Sequence, residues 1–471
     1  MKLKYILFAV LFSFINCAFA QKSWTLKDCI EHAQQNNLQI KQSSLQVEQA
    51  NINYLQSKGA FLPSLNGQAT HSYNVGRTID RFTNTFVSNQ TVQSDNFNLS
   101  AQLNLFNGMQ NVNNYKQNEL NTMASKLELD KMRNDIALSI ANLYLQVLFA
   151  DELVSNATNQ LQVSQQQVQR NTKLYEAGAL PKETLLNVEA QLASEEVNKI
   201  NAQNQLDLAY LSLQQVLDLD TIQDFKIQKP NLATPSESTI AINAYDLYNS
   251  AQGLPQIKSA ELRYKSSSYS LSSAKGGISP SLSFFATMGT GYSGLQKNYT
   301  NSVVGYKSSG LVTADGSDVL QPDIVTTSSL IPFGQQLDQN LNQTFGLSLS
   351  VPIFNGFANK AQISRAKISQ QSAQISLQNA RLQLRKEIRQ AHADAIAAYR
   401  KYGANEKALA AMQETFKYTQ QRFDIGLVNA VDYNTTKQRL ALAESNLLQA
   451  KYEFVFRVKV LEFYQGKPID L

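Results

Sequence analysis

The sequence predicts an α+β membrane protein: a trimeric 12-stranded outer-membrane β-barrel continued by a long periplasmic α-helical barrel, with two tandem structural repeats per chain. Three observations lead there: an internal repeat, strands that alternate polar and apolar residues without error, and helical stretches far longer than a globular core uses.

The repeat comes first. Gln39-Ile40-Lys41 and Pro63-Ser64-Leu65 match Gln256-Ile257-Lys258 and Pro280-Ser281-Leu282 at a constant offset of 217. The segment FNLSAQLNLFNG at 97–108 matches FGLSLSVPIFNG at 345–356 at offset 248, and Gly178 matches Gly426 at that same offset. The difference, 248 − 217 = 31, places one insertion between Leu282 and Phe345. The halves run from 21 to 235 and from 236 to 471, joined by a linker containing Pro230 and Pro235.

The strands follow from period two. Phe97, Leu99, Ala101, Leu103 and Leu105 alternate with Asn96, Asn98, Ser100, Gln102 and Asn104. Residues 66–75 alternate likewise, with Gln68, Thr70, Ser72 and Asn74 on the polar face. Phe345, Leu347, Leu349, Val351 and Ile353 repeat the pattern, and 281–292 is a weaker fourth strand. Ten residues tilted by about 45° rise roughly 23 Å, close to the ~25 Å apolar band of outer-membrane barrels. A half-exposed soluble sheet is the rival reading; Asn and Gln suit a wet lumen.

The helices follow from the absence of breakers. Residues 109–177 hold neither Gly nor Pro, and 357–425 hold only Gly403. The spans between glycines are equal, 178 − 108 = 70 and 426 − 356 = 70. At 1.5 Å per residue each is about 105 Å of helix. Val154, Leu161, Val168 and Tyr175 form a seven-residue seam, as do Ile368, Ile375 and Leu382, and Leu440, Leu447, Phe454 and Leu461 on the return. Each half therefore reads strands, long helix out, sharp turn, helix back.

Four strands cannot close a barrel, and an open sheet edge cannot sit in lipid. A trimer gives 12 strands and 12 helical columns, a ring of about 38 Å diameter with helices ~10 Å apart. The N-terminus supplies the export address. Lys2 and Lys4 precede an apolar run, and Ala18-Phe19-Ala20 supplies a small-x-small cleavage pattern, so 1–20 reads as a signal peptide. Lipidation at Cys17 is the rival, disfavoured by Asn16 before it.

Composition excludes other classes. Charged residues are 17% and net charge is +5, or 5 − 2 = +3 without Lys2 and Lys4, too even for a nucleic-acid reader. Three histidines and two cysteines leave little for a metal site, and no disulfide framework, nucleophile elbow or carboxylate pair stands out. No cofactor and no enzyme activity are expected. Gly289, Gly291 and Gly294 fit GxGxxG, but Ser, Tyr and Asn surround the end of a strand where a nucleotide would need a helix. The stretch of about 293–343 holds the 31-residue excess and reads as a long external loop.

The duplicated order, the FNG at each strand-to-helix junction, the opening LKDCIEHAQQNNL and the long helices resemble the TolC family of outer-membrane efflux ducts. The resemblance covers nearly the whole chain after the leader. It implies a homotrimeric tunnel in outer-membrane lipid, serving a tripartite efflux or type I secretion system. Its partners would be a periplasmic adaptor and an inner-membrane pump, and it would pass small molecules or proteins. The alternative is a periplasmic coiled-coil adaptor or scaffold without a pore. The turns Gly178-Ala179-Leu180 and Gly426-Leu427-Val428 match the family's adaptor-docking tips. A plain structural turn is the bland reading of both. Asp432 matches one of the aspartates that narrow the family's periplasmic gate, and Thr435 falls where some members have a second. The locking Tyr and Arg positions fall on Phe423 and Val428, and the acidic lock position on Thr184 beside Glu183. These residues cannot make the family's hydrogen-bonded lock, so apolar contacts are expected to hold the closed state. The bland reading of Asp432 is a favourable charge at a helix N-terminus.

Overall fold

A computed structural model describes residues 23–219, 225–230, 235–236, 240–241, 243–467 and 469. The signal-peptide reading of 1–20, with Cys17, lies outside the described residues. The first half runs β1 (Ser23–Trp24), α1 (Leu26–Asn36), α2 (Leu38–Gly59), β2 (Ser64–Ile79), β3 (Phe86–Asn107), α3 (Gln110–Glu176), α4 (Lys182–Val216). β4 (Lys226–Ile227) closes that half, and the second runs α5 (Ala244–Ala251), α6 (Pro255–Gly276), β5 (Ser281–Ser293), β6 (Lys297–Val312), β7 (Asp318–Leu330), α7 (Phe333–Gln339), β8 (Asn342–Ser350), α8 (Ala358–Asp424) and α9 (Ala430–Tyr464). Helices α3 and α8 are each 67 residues, α4 and α9 each 35.

The chain divides into two compact units. The second comprises Ile52–Glu119 and Ser267–Gln370; the remaining described residues form the first. The unit boundaries fall inside α2, α3, α6 and α8, whereas the sequence repeat divides the chain near its middle.

The second unit is built on an antiparallel sheet of order β2-β3-β5-β8. Its register puts Leu99 opposite Gly67 and Met288, and Phe284 opposite Leu103 and Leu347. One face is thus apolar along Leu99, Ala101 and Leu103 and their partners Met288, Ala286, Phe284 and Leu347, and beyond Phe97 it carries the His71–Asp95 pair and Gln93. The other carries Gln68, Asn98, Ser100, Thr287 and Thr344. On this polar face Phe285 lies over Gly346, where a Cβ would meet the ring at 2.9 Å, so glycine makes room for the aromatic. Strand β8 stops at Ser350, short of the expected Val351 and Ile353, because Pro352 has no N–H for the ladder. Within the described residues, β2 and β8 each have a free edge.

The stretch 293–343, read from sequence as an external loop, contains a separate ribbon, β6 paired with β7, and the short α7. Gln336, fully buried on α7, fixes its root. It accepts from Ser293 N (2.9 Å) and donates to the carbonyls of Ser293 (3.1 Å) and Ile331 (2.8 Å). The GxGxxG glycines lie on β5 and in the turn after it, with no helix following.

Both strand-to-helix junctions use the same device. Gly108 and Met109 have φ of 64° and 62°, and Gly356 and Phe357 of 59° and 68°. Two successive left-handed residues reverse the chain from pleat to helix, which favours the glycine of each FNG.

The first unit is helical. One core gathers Leu26, Cys29, Ile140, Tyr144, Leu148 and Leu213; a second gathers Leu247, Ile257, Leu384, Ile388 and Leu461. Thr25 opens α1 with a reciprocal capping box to Asp28, at 3.1 and 3.0 Å. The buried Tyr144 hydroxyl lies 2.5 Å from the Gln228 carbonyl, beside the parallel β1–β4 pair. Helix α3 is long and apolar enough to cross a bilayer, but half of its apolar window is buried against the rest of the chain. Glu128 on α3 accepts from Ser259 (3.0 Å) and from Arg263 (2.6 Å) on α6. Burial would raise the Glu128 carboxyl, but the Arg263 hydrogen bond and charge outweigh it and hold it below its ordinary 4.5.

The expected seam on α8 is not a seam within the chain. Ile368, Ile375 and Leu382 are exposed, and the buried row is Leu377, Leu384, Ala391 and Ala398. Both rows step by seven, and the period alone does not say which row meets a partner.

Candidate functional site

Each long helix ends in a glycine turn of the same construction. Gly178 has φ +70° and Gly426 φ +78°. The Gly178 N–H donates to the Tyr175 carbonyl (2.9 Å) and Ala179 N–H to that of Leu174 (2.8 Å). At the second turn Gly426 donates to Phe423 (3.0 Å) and Leu427 to Arg422 (2.8 Å). These paired bonds satisfy carbonyls that the helix end would leave open, and only glycine takes the left-handed step without steric cost. Pro181 then caps α4, where its missing N–H is not needed; Asn429 caps α9, its side chain accepting from Asp432 N at 2.8 Å.

The flanking apolar residues divide by exposure. Ala179 and Leu427 are exposed; Leu180 and Val428 are half-buried. Each turn thus exposes one side chain of its apolar pair, joined at the second turn by exposed Ile425. Glu183, Asp432 and Thr435 are exposed, and Thr184 is half-buried. Thr435 spends its hydroxyl on the Val431 carbonyl at 2.8 Å.

Sequence reasoning missed the residues that bind these helix ends together. Phe423 stacks on Tyr433, centroids 4.5 Å apart at 23°, and Phe416 lies on Tyr433 at 5.5 Å. The Tyr433 hydroxyl accepts from Gln167 Nε2 on α3 at 2.7 Å. One turn along α9, Lys437 is buried at 3% exposure and donates to Ser164 Oγ on α3 at 2.9 Å. Desolvation pushes the Lys437 ammonium below its ordinary value, partly offset by the charge of Glu195 on α4. Glu195 is itself buried and accepts from Gln191 (2.7 Å) and Asn198 (3.2 Å). Asn171, seven residues from Ser164, is buried too. Tyr433 was within reach of the sequence, because it lies seven residues before Leu440 on the return seam. Lys437 and Ser164 gave no signal, since both residue types are ordinarily solvated.

Among the described residues no three His, Cys, Asp or Glu side chains gather as metal ligands. The site is therefore a paired helix end: exposed apolar tips, a carboxylate at the start of α9, and an aromatic and polar clamp behind them.

The family model described as outer membrane efflux protein matches residues 29–218 and 247–466. Outer membrane protein TolC of Salmonella enteritidis is 21% identical over 455 residues, covering 94% of this chain and 82% of the relative. TolC of Escherichia coli (strain K12) is 22% identical over 441 residues, covering 91% and 80%. Among solved structures, the outer membrane protein VceC from Vibrio cholerae matches with a TM-score of 0.74 at 16% identity, over 94% of this chain and 96% of that one. The open state of the Neisseria gonorrhoeae MtrE outer membrane channel matches with a TM-score of 0.71 at 18% identity, over 95% and 90%.

Proposed function

The chain belongs to the outer membrane efflux protein family, and from that premise we propose that it forms the outer-membrane duct of a tripartite export system. The observation that carries this reading is the open sheet, apolar on one face and lined by Asn, Gln, Ser and Thr on the other. A sheet with free edges leaves backbone N–H and C=O groups unpaired in lipid, at several kcal/mol each. Three copies joining β8 to β2 would close 12 strands around a wet lumen. A pore-less scaffold in the periplasm would leave the same apolar face in water.

The work done by this chain is that of a passage. Polar side chains replace part of the hydration of a moving solute, and the closed barrel excludes lipid. Energy is supplied by a pump in the inner membrane, joined through a periplasmic adaptor that meets the turns at Gly178–Leu180 and Gly426–Val428. Three copies of Asp432, with Thr435, Glu183 and Thr184 behind, would narrow the periplasmic end. The Phe423–Tyr433 stack takes the place of a hydrogen-bonded lock. Single-channel recording of purified protein in a planar bilayer tests the reading. The expected result is a discrete conductance; a purified trimer that never conducts would overturn the duct.

A further inference from the structure

Strands β2 and β3 run past the rest of their sheet. β8 pairs with β5 only as far as Gly289, and β5 pairs with β3 only as far as Ser94 and Ser293, whereas β2 and β3 stay paired to Ile79 and Phe86. The helices join this hairpin at its Ser64 and Asn107 ends, so its tip, residues 80–85, stands at the end of the sheet away from them. Near the tip the ladder is irregular. Gly76 has φ +111° and Asn89 φ 57°, and the register shifts between Gly76 and Thr78. A bulge bends its strand, and here the bend carries the tip over the polar face.

Two observations fix that direction. Gly291 pairs with Asn96 on the polar face, and the Phe82 ring lies where a Gly291 Cβ would stand. The second glycine of the GxGxxG match thus makes room for an aromatic ring from the first half of the chain. Val92 continues the row of Asn98, Asn96 and Ser94 on the same face, yet it is 1% exposed. The wet row therefore ends in a covered valine.

The tip is pinned at its root. Asp80 is 3% exposed and accepts from Phe82 N (2.8 Å), from Thr83 N (3.2 Å) and from Ser293 Oγ. Ser293 in turn is held by Gln336 of α7. Both oxygens of the Asp80 carboxylate are thus taken up inside the root. Arg81 beside it is exposed and makes no ion pair among the described residues. Arg81 and Phe82 roof a cleft of about 720 Å³ whose floor includes Thr70, Ser72, Asn74 and Asn96. That volume falls in the range of ~300–1,000 Å³ that ligand sites use. The floor offers hydroxyl and amide groups, and the roof a guanidinium, whose fork matches paired carboxylate or phosphate oxygens.

We propose that this cleft is a resting site for anionic solutes at the external mouth of the duct, with Arg81 as its specificity-determining residue. The proposal rests on the duct reading, in which the polar face is the lumen wall, and adds a solute class to it. Threefold symmetry would set three Arg81 side chains around the outer opening, opposite in sign to Asp432 at the other end. Carboxylate- or phosphate-bearing solutes released into the duct would be drawn away from the carboxylates and toward the guanidiniums, which is the outward direction.

Single-channel recording of the full chain tests this, with tripolyphosphate as the probe on the side of the external mouth. Block of the wild-type current is expected, weakened about tenfold in Arg81→Gln and largely kept in Arg81→Lys. In a salt gradient Arg81→Gln should also deepen the preference for cations. Position is read independently with Arg81→Cys and a sulfonate-bearing methanethiosulfonate reagent; wild type, whose Cys29 is buried, sets the background. The current should change in three steps, one per copy. Complete labelling, verified by mass, that leaves the current unchanged would put Arg81 outside the passage and overturn the site. Equal tripolyphosphate block in wild type and Arg81→Gln would overturn it too, with the duct left standing. A wild-type trimer that never conducts overturns the duct itself.

Discussion

Burial of the Lys437 ammonium among α9, Ser164 of α3 and Glu195 of α4 costs stability that the unfolded chain does not lose. Desolvation holds its pKa below the ordinary 10.5, despite the attraction of Glu195. Between the two values the unfolded state binds more protons, so stability rises with pH across that window. Thermal unfolding from neutral pH to 10.5 should show this rise in wild type, and Lys437→Met should remove it. The opposite sign holds for Glu128, depressed by Arg263 against its own burial. Its contribution is present above 4.5 and fades as pH falls through the depressed value. Because Arg263 and Glu128 are partly solvated, Arg263→Ala should cost only about 0.5–1 kcal/mol at neutral pH and nothing in strong acid. Neither residue could be singled out from sequence. A buried lysine reads like a solvated one until its neighbours are known, whereas Asp432 at a helix start was legible from Asn429 and the glycine before it.

Helices and strands were more legible than the contacts between them. Perfect alternation located β3, and equal spacing of glycines located the ends of α3 and α8. The β6–β7 ribbon was not read, because Ser, Gly and Thr dilute its alternation and a bulge between Val303 and Gly305 shifts it by one residue. The glycine turns set a clear expectation at this scale. Gly178→Ala or Gly426→Ala places a Cβ at positive φ and should lower stability by roughly 1–2 kcal/mol, read as a reduced midpoint with helix content unchanged. Leu180→Asp combined with Leu427→Asp should abolish export while sparing assembly, because a charge would be desolvated against an apolar partner. Unchanged drug tolerance in cells carrying both would remove docking from these turns.

Assembly decides the molecule as a whole. Detergent-extracted protein should scatter as a trimer of about 150 kDa, three copies of roughly 50 kDa without detergent. Threefold symmetry would then gather Asp432 near the axis, where a ring of carboxylates would attract cations and repel anions. The duct should prefer cations, and Asp432→Asn should shift the reversal potential toward neutrality in a salt gradient. Identical potentials would assign Asp432 to its helix N-terminus alone. The sequence could supply the need for other copies, since four strands do not close. It could not supply which helix row faces them, because a heptad specifies a stripe and leaves its partner open.

The packing of the helical unit changes character along its length. Ile140, Tyr144, Leu148 and Leu213 make the contacts of one core, whereas toward the glycine turns the polar Ser164, Asn171, Lys437 and Glu195 are buried alongside the apolar Leu185, Val188 and Tyr433. Separating the apolar rows wets hydrocarbon, at about 25 cal/mol per Å². Separating the Lys437–Ser164 bond exchanges one hydrogen bond for water, a net of about 0.5–1.5 kcal/mol, and returns an ammonium to the solvent it prefers. The bundle is thus apolar at its core and mixed toward the turns, where polar groups interrupt the packing of Leu185, Val188 and the Phe423–Tyr433 stack. Water entering from the turn end finds polar groups ready to accept it between apolar contacts, whereas the core of Ile140, Leu148 and Leu213 offers it hydrocarbon.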